Sequence, residues 1–126
     1  MTTVLDTSAM LAWIRNEPGA DKVDSLIPSG VMSTVNWSEL MQKLLQHGSN
    51  AEYTTTRLLT LGVRVELFTL DDSRQTAELW SHTRIAGLSF GDRACLALAR
   101  RLDAEVATAD QAWADIEVGV TIRLIR

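Results

Sequence analysis

Thr3-Val4-Leu5-Asp6-Thr7-Ser8-Ala9 passes from apolar residues to a carboxylate to two hydroxyls. Val4 and Leu5 read as the end of a short buried strand. Thr7 and Ser8 cap the next element, in which Met10, Leu11, Trp13 and Ile14 fall on one side of a helix. Open α/β sheets bind ligands beyond the carboxyl ends of their strands, where chain turns from strand to helix. Asp6 stands at such a turn, so the reading of the remaining chain hinges on which other acids can reach it.

Working outward, the pattern alternates short apolar runs with helical ones. The first strand covers about Thr3 to Asp6 and its helix runs to about Arg15. Asn16-Glu17-Pro18-Gly19 is a turn, and Pro18 can start a second helix that ends near Ile27. Val31-Met32-Ser33-Thr34 is a second strand. Asn36 then leads a helix with Trp37, Leu40, Met41, Leu44 and Leu45 on its apolar side. Asn36 and Glu39 have capping-box spacing, and Gly48 closes the run. Ala51 to Leu61 is a further helix, stopped by Gly62. Val63, Val65, Leu67 and Leu70 suggest extended chain. Asp71, Asp72 and Ser73 offer caps for a helix to about Ala86. Ser89 and Asp92 repeat the cap-then-acid spacing, and Cys95, Leu98, Ala99 and Leu102 form one helical face. Glu105 to Ala109 is a strand ending on Asp110; Ala112, Trp113 and Ile116 make a short turn or helix, and Val120, Ile122 and Leu124 alternate in a last strand. The expected fold is α/β, a mostly parallel central sheet with helices on both faces, in one domain spanning 1–126.

Composition narrows the function. With 126 residues, 46% hydrophobic and 22% charged, the chain has the make-up of one soluble domain with a real core. No apolar run approaches the ~20 residues needed to cross a bilayer, and no signal segment is evident. The single cysteine, Cys95, allows no internal disulfide, so a cytoplasmic address is expected. A net charge of −4 argues against gripping nucleic acid by bulk positive charge. It leaves room for a nuclease, because cations bound among acids reverse the local sign.

Asp6 and Asp110 each end a strand; Glu39 and Asp92 are read in first helical turns. In a parallel sheet the strand ends and following helix starts share one edge, so all four can face one cleft. Two carboxylates ~4 Å apart repel by roughly 4 kcal/mol at an effective dielectric of about 20. Such a cluster takes up protons or binds metal. Oxygen ligands without Cys or His select Mg²⁺ or Mn²⁺ over Zn²⁺, and His47 and His82 offer no zinc spacing. Each acid also has a plain structural reading, as a helix cap or as a charge favoured by the helix dipole. The joint pattern favours a site: four acids on one edge, two of them after apolar strands that need no acid there.

These residues resemble a known family. Val4-Leu5-Asp6-Thr7-Ser8, Asn36-Trp37-Ser38-Glu39-Leu40, Leu88-Ser89-Phe90-Gly91-Asp92-Arg93 and Val106-Ala107-Thr108-Ala109-Asp110 are similar, in order and spacing, to PIN-domain proteins. Within that group the chain resembles the small VapC-type toxins of toxin–antitoxin pairs. The resemblance implies a three-layer PIN fold and an endoribonuclease that cleaves structured RNA, tRNA or rRNA, by metal-activated water. It makes Asp6, Glu39, Asp92 and Asp110 the catalytic, Mg²⁺- or Mn²⁺-binding quartet. Thr7 or Ser8, and Thr108, match its hydroxyl positions and are expected, with Arg93, to bind the substrate; Asp115, five residues after Asp110, reads as a supporting or surface acid. It also implies a homodimer and a cognate VapB-like antitoxin covering the site. Met10, Leu11, Trp13 and Ile14, with Leu58, Leu59 and Leu61, offer apolar surface for such partners. Arg93, Lys43 and Arg84 are the basic residues expected to meet RNA. Trp13, Trp37 and Trp80 read as core residues on helical faces, and Trp37 and Trp113 lie near the cleft on this layout.

The runner-up is a catalytically silent interaction module on the same fold. A haloacid-type phosphatase is disfavoured because Ser8, two residues after Asp6, is not an acid. A phospho-receiver lacks its acidic pair near the start, and no GxxxxGK[ST] phosphate loop is present.

Overall fold

Val4 and Leu5 face opposite sides of a sheet, and that alternation builds the molecule. The computed structural model describes residues 1–126. Five strands, β1 (Thr3–Leu5), β2 (Gly30–Ser33), β3 (Arg64–Glu66), β4 (Glu105–Thr108) and β5 (Ile122–Leu124), form one sheet in the order β3-β2-β1-β4-β5. Every pairing is parallel, so the sheet is wholly rather than mostly parallel. Seven helices surround it: α1 (Thr7–Ile14), α2 (Ala20–Asp24), α3 (Thr34–Gln46), α4 (Ala51–Thr60), α5 (Leu70–Glu78), α6 (Trp80–Thr83) and α7 (Phe90–Leu102).

A parallel sheet is covered on both faces, so its strands carry apolar residues on both. Leu5, Met32 and Ala107 face one layer, with Ala9 and Met10 of α1, Leu40 and Leu44 of α3 and Leu58 of α4. Val4, Val31 and Val106 face the other, with Cys95, Leu96, Leu98 and Ala99 of α7 and with Leu79. Each large aliphatic buried this way contributes about 1.5–3 kcal/mol.

Several boundaries differ from the sequence reading, each for a local reason. Ser33, not Asn36, caps α3, its hydroxyl accepting the Val35 N–H at 3.2 Å. Glu39 therefore lies in the second turn of α3, not the first. Pro18 stays outside α2: Gly19, at φ +95°, turns the chain there, and a Cβ on it would sit 2.6 Å from the Ile125 carbonyl oxygen. Thr69 caps α5 and forms a capping box with Asp72, so Leu70 starts a helix instead of ending extended chain. The helix expected to reach Ala86 is broken at Leu79, whose side chain drops into the core.

The tryptophans exchange roles. Trp80 is half exposed under the Arg84 guanidinium, whereas Trp113, on a short 3₁₀ turn (Gln111–Asp115), is fully buried. Met10, Leu11 and Leu58 are spent in the core, which leaves Leu59 and Leu61 as the exposed members of the expected apolar surface.

Asp72 clamps the outer layer. It is 2% exposed, and Arg101 of α7 donates to both its oxygens, at 3.0 and 3.2 Å, and to the Leu67 carbonyl. Breaking a buried pair strands a charge. Arg101→Ala is expected to cost about 2–3 kcal/mol, below the full penalty because the capping box still serves Asp72. Urea denaturation of the two proteins measures this; equal midpoints would show that the clamp contributes nothing.

Candidate active site

Asp6 follows β1 and Asp110 follows β4, and these strands are neighbours, with Leu5 opposite Ala107. The chain leaves β1 toward β2 and β3, and β4 and β5 lie on its other side. The crevice at that reversal is the expected ligand position in a sheet of this kind. Asp6 is the residue before α1, yet its carboxylate makes no cap bond. Its Oδ2 instead accepts from the Ser8 hydroxyl at 2.6 Å and the Thr108 hydroxyl at 2.8 Å. Both donors are set by the backbone. Ser8 Oγ accepts the Ala109 N–H at 2.9 Å, and Thr108 Oγ1 accepts the Asp110 N–H at 3.1 Å. Each hydroxyl proton is thereby turned toward Asp6, while Asp6 Oδ1 keeps no partner in the chain.

The other acids arrive from the helices. Asp92 is in the first turn of α7, in a capping box with Ser89: its Oδ2 accepts the Ser89 N–H at 2.9 Å. Asp110 accepts the Ala112 N–H at 2.9 Å and is exposed. These two acids are structural caps as well as members of the cluster. Glu39 makes no hydrogen bond; it rests against Gly91, where an added Cβ would come 3.1 Å from its Oε2.

Together Asp6, Glu39, Asp92 and Asp110 line a cleft of about 340 Å³, with Thr7, Ser8 and Ser89. Lys43 is the single basic side chain on its wall. Thr108 lies behind the wall, acting through Asp6. A larger hollow, about 410 Å³, is lined by Asn50, Glu52, Tyr53, Thr56, Arg57 and Thr60, all on or beside α4, and has no cluster of acids.

Three expected residues lie elsewhere. Arg93 is turned away from the cleft because it is one step round the helix from Asp92. Its guanidinium donates to the Thr76 carbonyl at 2.7 Å and lies over Phe90. Arg84 lies over Trp80, and Asp115 is exposed and off the cleft wall. Sequence reasoning missed the part played by Asn36 and Gly91 beside Glu39. The one available signal was a glycine inside a capping-box helix start.

None of the chain's ion pairs includes any of the four acids, and Lys43 on the cleft wall is bonded to none of them. Burial, then the Asp92 and Glu39 charges, raise Asp6 from 3.8 to about 6, against the opposing pull of the Ser8 and Thr108 hydroxyls. Burial, then Asp110 and Glu39, raise Asp92 as well. Beneath them Cys95 is fully buried, and burial with the same acids pushes its thiol well up. An all-oxygen donor set with uncompensated negative charge fits a hard divalent cation. No three of the acids stand close enough to hold one ion by themselves. One or two carboxylates with water completing the shell is the Mg²⁺ and Mn²⁺ pattern.

A sequence profile of the PIN domain matches residues 3–119. No curated protein sequence matches significantly. Among solved structures, a toxin–antitoxin complex from Klebsiella pneumoniae superposes with a TM-score of 0.80 at 18% identity, covering 99% of this chain and 98% of that one. The sarcin–ricin-loop-cleaving toxin VapC20 of Mycobacterium tuberculosis gives 0.74 at 22%, covering 95% and 99%. DNA-bound VapBC from Salmonella typhimurium gives 0.75 at 15%, covering 100% and 99%. At these identities the likeness is one of fold.

Asp6 binds its proton more tightly folded than unfolded. Its contribution to stability is therefore greatest below pH 4 and is lost as pH rises toward about 6. Asp6→Asn, which keeps an oxygen for Ser8 and Thr108, is expected to be more stable than the parent at pH 7.5 in metal-free buffer, by roughly 2–3 kcal/mol. That gain should vanish near pH 4. Thermal unfolding across pH reads it directly, and a variant no more stable at pH 7.5 would contradict the strain assigned to Asp6.

Proposed function

This chain belongs to the PIN-domain family, and on that premise we propose that it is a metal-dependent endoribonuclease, the toxin of a toxin–antitoxin pair. One observation carries the reading. Four carboxylates converge on a cleft where none has an ion-pair partner and Lys43 is the single basic side chain, and the most buried of them is held as an acceptor by two oriented hydroxyls. A stabilising core needs no such cluster. A site for a divalent cation and a phosphodiester does.

The roles divide by position. Asp6 Oδ1, Glu39, Asp92 and Asp110 would hold Mg²⁺ or Mn²⁺ with no more than two of them on one ion and water completing the shell. When bound, the cation supplies positive charge for the phosphate and polarises a water for attack. Ser8 and Thr108 keep Asp6 ionised and fixed in direction. Lys43 draws the RNA backbone to an otherwise acidic surface. No histidine lines the cleft, so a metal-free ribonuclease mechanism has no acid–base pair here.

The substrate class, structured rRNA or tRNA, is supported by the fold likeness to a sarcin–ricin-loop-cleaving toxin. A VapB-like antitoxin is supported by the fold likeness to toxin–antitoxin complexes. A groove beside the first helix is consistent with such a partner. Trp13, Ile14, Tyr53, Thr54, Arg57 and Leu58 line a groove of about 340 Å³ between α1 and α4. Exposed Leu45, Leu59 and Leu61 supply apolar surface for a homodimer. A cytoplasmic site of action goes with this reading; no helix is long and apolar enough to cross a membrane.

Purified protein incubated with total RNA is expected to cut at few sites with Mg²⁺ or Mn²⁺ and not in EDTA. Asp6→Asn and Asp92→Asn should each lower the rate about 100- to 1000-fold. Full cleavage in EDTA would refute the metal reading. No cleavage by folded protein with either metal would leave the interaction module standing. Lys43→Glu is expected to weaken RNA binding for all sequences alike and to flatten its salt dependence by about one unit of slope. An unchanged slope in a binding titration would remove Lys43 from the substrate path.

A further inference from the structure

Asn36 is 1% exposed at the third position of α3, where Ser33 already provides the cap. Its Nδ2 donates to the Gly91 carbonyl of α7 at 2.9 Å, its own backbone carbonyl receives the Thr7 hydroxyl at 3.4 Å, and its Oδ1 has no partner. An apolar side chain in this place would bury no half-satisfied amide. The amide therefore does something that packing alone does not require. Asn36 is one helical turn before Glu39 on the same side of α3, and Gly91 directly precedes Asp92. From the α7 side, the missing side chain of Gly91 lets the helix close until a Cβ would be 3.1 Å from Glu39 Oε2.

We propose that Asn36 is a positioning residue for the acidic cleft: with Gly91 it forms a spacer that fixes how far Glu39 stands from Asp92. The bond pulls the α3 and α7 first turns together, and the bare Gly91 sets how close the Glu39 carboxylate comes. Thr7, next to Asp6, is tied to the same point, so the three helix starts that bring the acids share one buried junction. This inference rests on the cleft being the proposed catalytic site.

Two variants probe it from opposite sides. Asn36→Leu removes the strap. Gly91→Ala keeps the strap but presses a methyl on Glu39, and the better helix propensity of alanine offsets part of that contact, so this variant is expected to fold. Both are expected to lower kcat for RNA about 10- to 100-fold with KM little changed, and to weaken Mn²⁺ binding by calorimetry to a similar degree. Stably folded variants with parental kcat and Mn²⁺ affinity would overturn the proposal. Crystal structures of the variants provide a readout free of the chemistry. Glu39 displaced from its place beside residue 91 in Gly91→Ala, and α3 drawn away from α7 in Asn36→Leu, support the spacer even if the parent cleaves no RNA, an outcome that removes only the nuclease reading. Glu39 unmoved relative to Asp92 in Gly91→Ala overturns it whatever the RNA assay gives. If Asn36→Leu fails to fold, Gly91→Ala decides alone.

Discussion

A buried carboxylate at the end of the central strand governs this structure. Asp6 is 2% exposed, and a charge so placed is tolerated only when polar groups are turned toward it. The chain supplies two hydroxyls, one from α1 and one from β4, and fixes their direction through the backbone N–H groups of Ala109 and Asp110. The Ala109-to-Ser8 and Thr108-to-Asp6 bonds also tie the chain leaving β1 to the end of β4, the strand pair at which the sheet reverses its order. The environment of the acid and the seam of the fold are thus one network.

Around that network the outer layers are arranged to bring charge inward. Away from their starts α3 and α7 cover opposite faces of the sheet as ordinary amphipathic helices, α3 through Leu40 and Leu44 and α7 through Cys95 and Leu98. At their starts the contact is polar and close, through Asn36, Gly91 and Glu39. Core stability is generated by the apolar faces of the sheet and offset at its carboxyl edge, where like charges are crowded without a basic partner. Local strain of this kind is found where a protein binds something that relieves it.

The sequence made much of this legible, and the reasons for its failures are physical. Strand ends at Asp6 and Asp110 could be read because an apolar run gives way to an acid, a change of character independent of neighbours. The α3 start could not be placed, because Ser33 and Asn36 are both good caps. Only burial decides between them: Asn36 is needed against α7, a contact 55 residues away in sequence. Arg93 was expected at the cleft from its adjacency to Asp92, but successive helical residues point about 100° apart. Trp113 sits on a 3₁₀ turn too short to show a period, so its full burial had no pattern to announce it. Which strands neighbour which was likewise outside the reach of periodicity, although the alternation of Val4 with Leu5 and Val31 with Met32 already required layers on both faces.

Cys95 gives the cleft a further property. The chain's one thiol is fully buried below three carboxylates, and both burial and their charge keep it protonated. Oxidants act on thiolates that they can reach. Here neither condition holds, so peroxide or disulfide stress has no handle on the floor of the site. The packing beneath the acids is therefore insensitive to thiol redox chemistry.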